Sequence, residues 1–210
     1  MIPAFPVYIF DLDGTLVDSE ADICGAVEDV LATHGRTGIP REVLHRYIGR
    51  HLIEEFMDFG FAFPEAEQML QEYRAIYPAR KHASTTVYPG VAAALSRLGG
   101  KKSTATTKGT PTTRLVLEQF ALIHHFDHVQ GTDGFPAKPE PDVLLRTLET
   151  FGARPSDCLF IGDSAADMEA GRRAGIATCA VTWGYGETED LAHHHPDFWI
   201  DAPHQLLPDY

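Results

Sequence analysis

Short apolar runs alternate with longer amphipathic segments over most of the chain. Three runs, Val7–Phe10, 158–161 and 176–181, consist largely of β-branched, aromatic or other apolar residues, and the first two lead directly into Asp or Gly-Asp. Runs of this length are typical of parallel strands that are buried on both faces and end in a loop. They predict three strands of a parallel sheet.

The segments between these strands carry the apolar spacing of helices. They predict helices at residues 90–98, 111–122, 139–151 and 165–174. Gly152 and Gly175 follow the last two, at the position where glycine commonly ends a helix. The alternation of strands and helices predicts an α/β fold with a Rossmann-like parallel sheet and helices on both faces.

One segment breaks this alternation because it contains only helical patterns, at residues 20–34, 41–47, 52–59 and 64–77. Polar or turn-rich sequence flanks it on both sides, where a hinge disturbs little packing. We predict an all-helical cap domain at residues 18–83, inserted into a core domain of residues 1–17 and 84–210. A cap in this place can open and close over the carboxyl end of the first strand.

The balance of charges restricts the partners of the chain. Seventeen Lys and Arg residues against thirty Asp and Glu residues give a formal net charge of −13. This charge repels phosphate backbones and anionic membranes, so neither nucleic acid nor a membrane is an expected partner. A phosphorylated substrate would need a divalent cation and a few well-placed lysines to reverse the local field.

The cysteines and the N-terminus indicate the cytoplasm. Cys24, Cys158 and Cys179 lie far apart without Cys-x-x-Cys spacing, which indicates neither a disulfide framework nor a zinc site. The sequence starts without a basic leader, and no apolar run reaches the ~18 residues that span a bilayer. We expect a cytoplasmic protein with reduced cysteines.

Asp11 and Asp13 follow the first predicted strand at a spacing of two, so both can point into the crevice at the carboxyl edge of the sheet. Two such carboxylates repel each other unless a cation joins them or one stays protonated. A phosphomonoesterase can use both devices, with one carboxylate attacking phosphorus beside Mg²⁺ and the other protonating the leaving alkoxide. The alternative is an acidic turn without chemistry.

A second acidic pair, Asp163 and Asp167, follows another apolar run and is spaced so that both carboxylates can face one point. Mg²⁺ prefers oxygen ligands from one or two carboxylates together with waters and phosphate. Asp11 and Asp163 would supply them. The alternative is structural, with Asp163 capping a helix and Asp167 placing a favourable charge near the N-terminus of that helix.

Lys138 and a hydroxyl-rich loop are the other candidates for binding phosphate. Pro139 and Pro141 stiffen the chain after Lys138, which holds its ammonium in place and favours an electrostatic role over simple solvation. Residues 104–109 offer hydroxyls before a predicted helix, a plausible phosphate cradle. An ordinary hydroxyl-rich loop is the equal alternative.

The chain resembles the haloacid dehalogenase superfamily through four motifs in the same order and spacing, at residues 10–16, 106–108, 138–141 and 162–167. Residues 88–91 and 181–186 are similar to the phosphoglycolate phosphatase branch. The resemblance covers nearly the whole chain, with the helical insertion in the place of that family's cap. One position and one segment depart from the pattern. Thr107 stands where the family commonly has Asn, and residues 101–105 read Lys-Lys-Ser-Thr-Ala where it usually has an aliphatic strand.

The resemblance implies a role for each matching residue. Asp11 would be the nucleophile that forms an aspartyl-phosphate, and Asp13 would be the general acid and base. Thr106 and its neighbour Thr107 would bind substrate, Thr106 through the phosphoryl oxygens, and Lys138 would hold the nucleophile and the phosphate together. The metal ligands would be Asp11, the main-chain carbonyl of Asp13, Asp163 and, in support, Asp167.

Arg50 is the candidate for binding the rest of the substrate. It follows Gly49 between two predicted helices of the cap, and glycine there permits a tight turn that aims the next side chain outward. If the substrate is a small phospho-acid such as 2-phosphoglycolate, its carboxylate needs a cation, and arginine binds carboxylates in bidentate fashion. An exposed arginine without a partner is the equal alternative.

Four functions compete for this set of residues. A dehalogenase expels halide, which needs no proton, so Asp13 argues against it. A non-catalytic binding module would be expected to have lost one of Asp11, Asp13, Lys138 or Asp163. A phosphosugar mutase would keep all of them and stays open. The sequence favours a Mg²⁺-dependent phosphatase that acts on a small phosphorylated metabolite, as a monomer or homodimer.

Overall fold

The computed structural model describes residues 2–207, and contacts within the chain divide it into two compact units. The core unit contains the residues up to Asp18 and those from Thr86 onward, and the inserted unit is Ser19–Thr85. Among the described residues, no helix combines the length and the apolar character that crossing a bilayer requires.

All seven strands that the structure describes lie in the core unit: β1 (Val7–Phe10), β2 (Val17–Asp18), β3 (Thr86–Val87), β4 (Lys101–Thr104), β5 (Cys158–Gly162), β6 (Ala177–Val181) and β7 (Phe198–Ile200). Five of them form one sheet in the order β4-β1-β5-β6-β7, and every neighbouring pair in it is parallel. β2 and β3 form a separate antiparallel pair. The predicted parallel sheet is confirmed.

The inserted unit contains α1 (Glu20–Thr33), α2 (Arg41–His45), α3 (Leu52–Asp58) and α4 (Phe63–Ala79). The core unit contains α5 (Val91–Arg97), α6 (Thr110–Gln119), α7 (Asp142–Phe151), α8 (Ala165–Ala174) and α9 (Thr188–His193). The prediction started α7 at residue 139, three residues too early. A residue before proline is disfavoured in the helical region, so Glu140 before Pro141 keeps the helix from starting sooner.

The side chains of β1 alternate between the two faces of the sheet, because successive side chains of a strand point to opposite sides. Tyr8 and Phe10 belong to a buried cluster that also includes residues of α5 and α6. Val7 and Ile9 belong to a second buried cluster, formed with residues of α7 and α8. The helices therefore cover both faces, as predicted, and the carboxyl ends of the strands are left for the residues that follow them.

β4 explains how a lysine-rich segment serves as a strand. It is one of the two edge strands of the five-stranded sheet and lies next to β1. Lys101 is exposed at its start, and the main-chain N–H of Lys102 donates to the Asp127 carboxylate at 2.8 Å. An edge strand tolerates charged side chains that a central strand does not. The edge position thus accounts for Lys101, whereas Lys102, Ser103 and Thr104 are buried in spite of their polar side chains.

The inserted unit has an apolar core of its own, drawn from all four of its helices and including Cys24, Leu44, Phe56 and Met69. Asp22 in α1 joins the beginning and the end of the inserted unit by hydrogen bonds. The Asp22 carboxylate accepts hydrogen bonds from the main-chain N–H of Ser84 at 3.0 Å and the hydroxyl of Thr85 at 2.8 Å. Such a core is what an independently packed helical insertion requires.

Candidate active site

Three buried carboxylates meet at the carboxyl ends of β1 and β5. Asp11 follows β1 and Asp163 follows β5, and the register pairs Phe10 with Ile161, so neighbouring parallel strands end side by side. Asp167 joins them from the first turn of α8. One oxygen of each carboxylate lies within 4.8 Å of the corresponding oxygens of the other two. The sequence predicted these three residues as neighbours, and the structure brings them together.

Asp163 is fixed from both sides by donors. The hydroxyl of Thr15 donates to its Oδ1 at 2.8 Å, and the main-chain N–H of Tyr185 donates to its Oδ2 at 2.9 Å. Gly14 adopts φ +81°, and a Cβ there would collide with the Asp163 carboxylate. Glycine is therefore needed both for the backbone and for the close approach. The sequence did not predict either contact with Asp163, although Thr15 lies inside the first acidic motif.

Asp167 has two functions, one for each oxygen. Its Oδ2 accepts hydrogen bonds from the main-chain N–H and the hydroxyl of Ser164, at 3.0 and 2.6 Å, and Ser164 in turn caps α8. Its Oδ1 lies 2.5 Å from the ammonium of Lys138. Because Ser164 is the N-cap, the alternative that Asp163 caps this helix is wrong. Asp163 precedes the cap and is available to the carboxylate cluster.

Lys138 lies among the carboxylates and is almost fully buried, with its ammonium 2.9 Å from Oδ1 of Asp11. That buried oxygen has this ion pair but no well-directed hydrogen bond. Burial disfavours the charged form of Lys138, yet the nearby Asp11 and Asp167 outweigh it and raise the pKa of the ammonium. Lys138 is therefore a fixed positive charge beside Asp11.

The carboxylates carry more negative charge than one lysine can balance. Burial raises the pKa of Asp11 well above its ordinary value, opposed by Lys138 and reinforced by Asp167 and Asp163. Burial, with Asp167, also raises the pKa of Asp163 to about 7, against the donors Tyr185 and Thr15. The site offers only oxygen ligands, carries surplus negative charge and includes an Asp11 oxygen without a well-directed hydrogen bond. These properties fit a hard divalent cation.

Asp13 does not belong to this cluster of three and pairs with another lysine. Its Oδ2 lies 2.6 Å from the ammonium of Lys108, a residue for which the sequence predicted no individual role. Lys108 lies in the loop after β4, close to Thr106, whose buried hydroxyl accepts the main-chain N–H of Lys108 at 3.3 Å. Thr107, between them, is half-buried. The predicted hydroxyl loop is thus joined to Asp13 through Lys108.

Arg50 lies in the inserted unit, whereas the residues above all belong to the core unit. It is exposed in the turn between α2 and α3, after Gly49 with φ +91°, and its guanidinium lies 5.7 Å from the ring centre of Tyr47. The predicted break between two helices is therefore present. The binding role of Arg50 stays a prediction.

Comparison with known proteins identifies the family. The model of the haloacid dehalogenase-like hydrolases matches residues 8–181, well over half of the chain. The chain belongs to this family. The expectation drawn from the four sequence motifs is confirmed, and the acidic cluster lies where two of those motifs meet in this haloacid dehalogenase-like hydrolase.

Two curated relatives and one solved structure illustrate the similarity. The chain is 35% identical to phosphoglycolate phosphatase 1 of Pseudomonas aeruginosa, over 95% of this chain and 78% of the relative. It is 34% identical to a phosphoglycolate phosphatase of Aquifex aeolicus, over 96% of this chain and 94% of the relative. A haloacid dehalogenase-like hydrolase from Streptococcus pneumoniae superimposes with a TM-score of 0.89 at 29% identity, covering 96% of both chains.

Proposed function

We propose that this phosphatase hydrolyses 2-phosphoglycolate, or a similarly small phospho-acid, with Mg²⁺ and through an aspartyl-phosphate on Asp11. The observation that carries the proposal is the buried group of Asp11, Lys138, Asp163 and Asp167 at two adjacent strand ends. The names of the curated relatives from Pseudomonas aeruginosa and Aquifex aeolicus supply the substrate.

Asp11 is the group best placed to attack phosphorus. Lys138 holds its carboxylate by an ion pair at 2.9 Å, and the same ammonium can attract the phosphate of the substrate. Asp11, Asp163 and Asp167 would hold Mg²⁺ together with the main-chain carbonyl of Asp13. Bound there, the ion would offset the repulsion between the carboxylate and the phosphate and stabilise the charge of the transition state.

Two proton transfers complete the reaction, and both are assigned to Asp13. The cycle starts with Asp13 protonated. When an oxygen of Asp11 bonds to phosphorus, the bond to the leaving oxygen breaks, and Asp13 donates its proton to that oxygen. Water then attacks phosphorus and gives one proton to Asp13. The bond between phosphorus and the Asp11 oxygen breaks in this step, so inorganic phosphate leaves and the Asp11 carboxylate is restored. Asp13 is nearly buried and held by Lys108, so its carboxyl group has a defined position for this work.

The remaining candidates bind the two ends of the substrate. Thr106, buried at the start of the loop after β4, would donate its hydroxyl to the phosphoryl oxygens, and Thr107 would line the same place. Arg50 of the inserted unit would pair with the carboxylate.

A phosphate-release assay with Mg²⁺ tests the proposal. We expect hydrolysis of 2-phosphoglycolate, dependence on Mg²⁺ with inhibition by a chelator, and no turnover by Asp11→Asn, since an amide is neither a nucleophile nor a good metal ligand. Hexose phosphates and glycerol phosphate are the comparison substrates. Full activity in Asp11→Asn or in excess chelator would contradict the mechanism. Conversion of a hexose phosphate into its isomer without phosphate release would instead identify a mutase.

A further inference from the structure

The ion pair between Asp13 and Lys108 joins residues 95 positions apart in the sequence. The two charged atoms are 2.6 Å apart, and the side chains are 8% and 11% exposed, respectively. Lys138, the other lysine of the site, is 1% exposed and lies between two carboxylates. Lys108 is thus the more accessible cation of the two. It lies beside Asp13, the proposed proton donor to the leaving oxygen.

The backbone that carries Lys108 is firmly braced. Its carbonyl accepts the main-chain N–H of Thr132 at 2.8 Å, and the Thr132 hydroxyl donates to the carbonyl of Thr106 at 2.9 Å. A Cβ at Gly131 would collide with the carbonyl of Lys108, so only glycine permits this approach. A side chain on a braced loop can present its charge in a reproducible position.

We propose that Lys108 binds the carboxylate of the substrate and so selects esters that carry a carboxylate next to the phosphorylated carbon. The inference rests on the proposed function, because it assumes that Asp13 donates its proton to the ester oxygen. In 2-phosphoglycolate a single CH₂ group separates that oxygen from the carboxyl carbon. A cation in contact with Asp13 is therefore within reach of the substrate carboxylate.

The chemistry of an ammonium group suits this double contact. It is a compact charge that donates hydrogen bonds in three directions, so one lysine can hold Asp13 and a substrate carboxylate together. An uncharged alkyl group in the same position gains nothing from it. The expected consequence is discrimination between carboxylated and uncharged alkyl phosphates that depends on Lys108 of the core unit, in addition to the carboxylate contact proposed for Arg50.

The test compares 2-phosphoglycolate with ethyl phosphate, since both are two-carbon alkyl phosphates that need a proton on the leaving oxygen. Lys108→Met should lower kcat/KM for 2-phosphoglycolate by about 10- to 100-fold more than for ethyl phosphate, mainly through KM, as expected for the loss of a charged hydrogen bond. Lys101→Met, at an exposed lysine at the start of β4, is the matched control and should leave both values unchanged.

Lys108→Gln is the second variant, because it keeps a donor for Asp13 but no charge, and it serves if Lys108→Met folds poorly. It should lose the discrimination as well. Equal losses on both substrates would show that Lys108 acts only through Asp13 and would overturn the inference, as would discrimination that survives in both variants. If the wild-type enzyme has the same kcat/KM for ethyl phosphate as for 2-phosphoglycolate, both the proposed substrate and the inference are refuted. A wild-type preference retained by the variants refutes the inference alone.

Discussion

The ammonium of Lys138 lies 2.9 Å from the carboxylate of Asp11, and both side chains are almost fully buried. A buried charge that loses its partner is strongly destabilising, whereas removal of one of several like charges is not. The two residues therefore differ in what they contribute to stability, although both belong to the proposed catalytic group.

Replacing Lys138 should unfold the protein more easily. Lys138→Met leaves Asp11 and Asp167 without their cation, so we expect the free energy of unfolding to fall by about 3–5 kcal/mol. Urea unfolding in the presence of a chelator measures this loss. Adding Asp167→Asn to that variant should recover part of the loss. Asp11→Asn alone should leave stability equal or higher, because burial raises the pKa of Asp11 well above its ordinary value. An unchanged urea midpoint in Lys138→Met would show that the pair is not formed.

Asp13 should matter most when the leaving group is a strong base. Asp13→Asn removes a positioned proton donor, which typically lowers the rate by 10²- to 10⁴-fold, and we expect this loss on ethyl phosphate. With 4-nitrophenyl phosphate, whose leaving group is a weak base, the loss should be much smaller. Steady-state rates of wild type and variant on both esters provide the measurement. If the two losses are equal, Asp13 shapes the site but does not transfer the proton.

The parts of the site that could be predicted have local signals. An apolar run followed by an acidic residue identified Asp11 and Asp163, and parallel strands bring such ends to one edge of a sheet. The parts that escaped depend on distant contacts. Lys101 at the start of β4 is exposed because β4 is an edge strand, and strand order is not a local property. Asp163 is held by the main-chain N–H of Tyr185. Every residue except proline has a main-chain N–H, so this contact leaves no pattern in the sequence.

The fold shows the same division. The long helices were predicted to within a few residues because each carries several periods of apolar spacing, and the strands β1, β5 and β6 because each is a continuous apolar run. The two-residue strands β2 and β3 and the three-residue β7 are too short for a period to be read. The pairing of Asp13 with Lys108 was also out of reach, since nothing local marks which carboxylate a lysine will contact.

Metal binding should depend on pH through Asp163. Its pKa is raised to about 7 by burial and by Asp167, so between about pH 4 and pH 7 the folded protein holds a proton that the unfolded chain has released. Without metal, this group therefore makes the protein less stable as the pH rises through that window. A divalent cation needs the ionised carboxylate, so its affinity should increase up to tenfold per pH unit below about 7 and level off above.

Thermal unfolding from pH 5 to pH 8, with chelator and with saturating Mg²⁺, measures both effects. The stabilisation by Mg²⁺ should be small at pH 5 and largest above pH 7, and Asp163→Asn should remove most of it. A stabilisation of the same size at pH 5 and pH 8 would mean that Asp163 does not hold the ion.

Glu55 offers a test that is independent of catalysis. It lies in α3, inside the inserted unit, and is 2% exposed, and its Oε1 is buried without a hydrogen-bond partner. Burial raises its pKa from an ordinary 4.5 to about 8, so the unfolded chain releases this proton at a lower pH than the folded protein does. Glu55 therefore reduces stability increasingly as the pH rises from about 4.5 to about 8.

Glu55→Gln keeps the shape of the side chain and removes the ionisable proton. We expect a gain on the order of 2–3 kcal/mol in the free energy of unfolding at pH 7 and much less at pH 5, measured by urea unfolding at both pH values. Glu54→Gln is the matched control, because Glu54 is the preceding residue of the same helix and is exposed, so its substitution should change stability little at either pH. A gain that does not grow between pH 5 and pH 7 would show that Glu55 ionises in the folded protein as readily as in the unfolded chain.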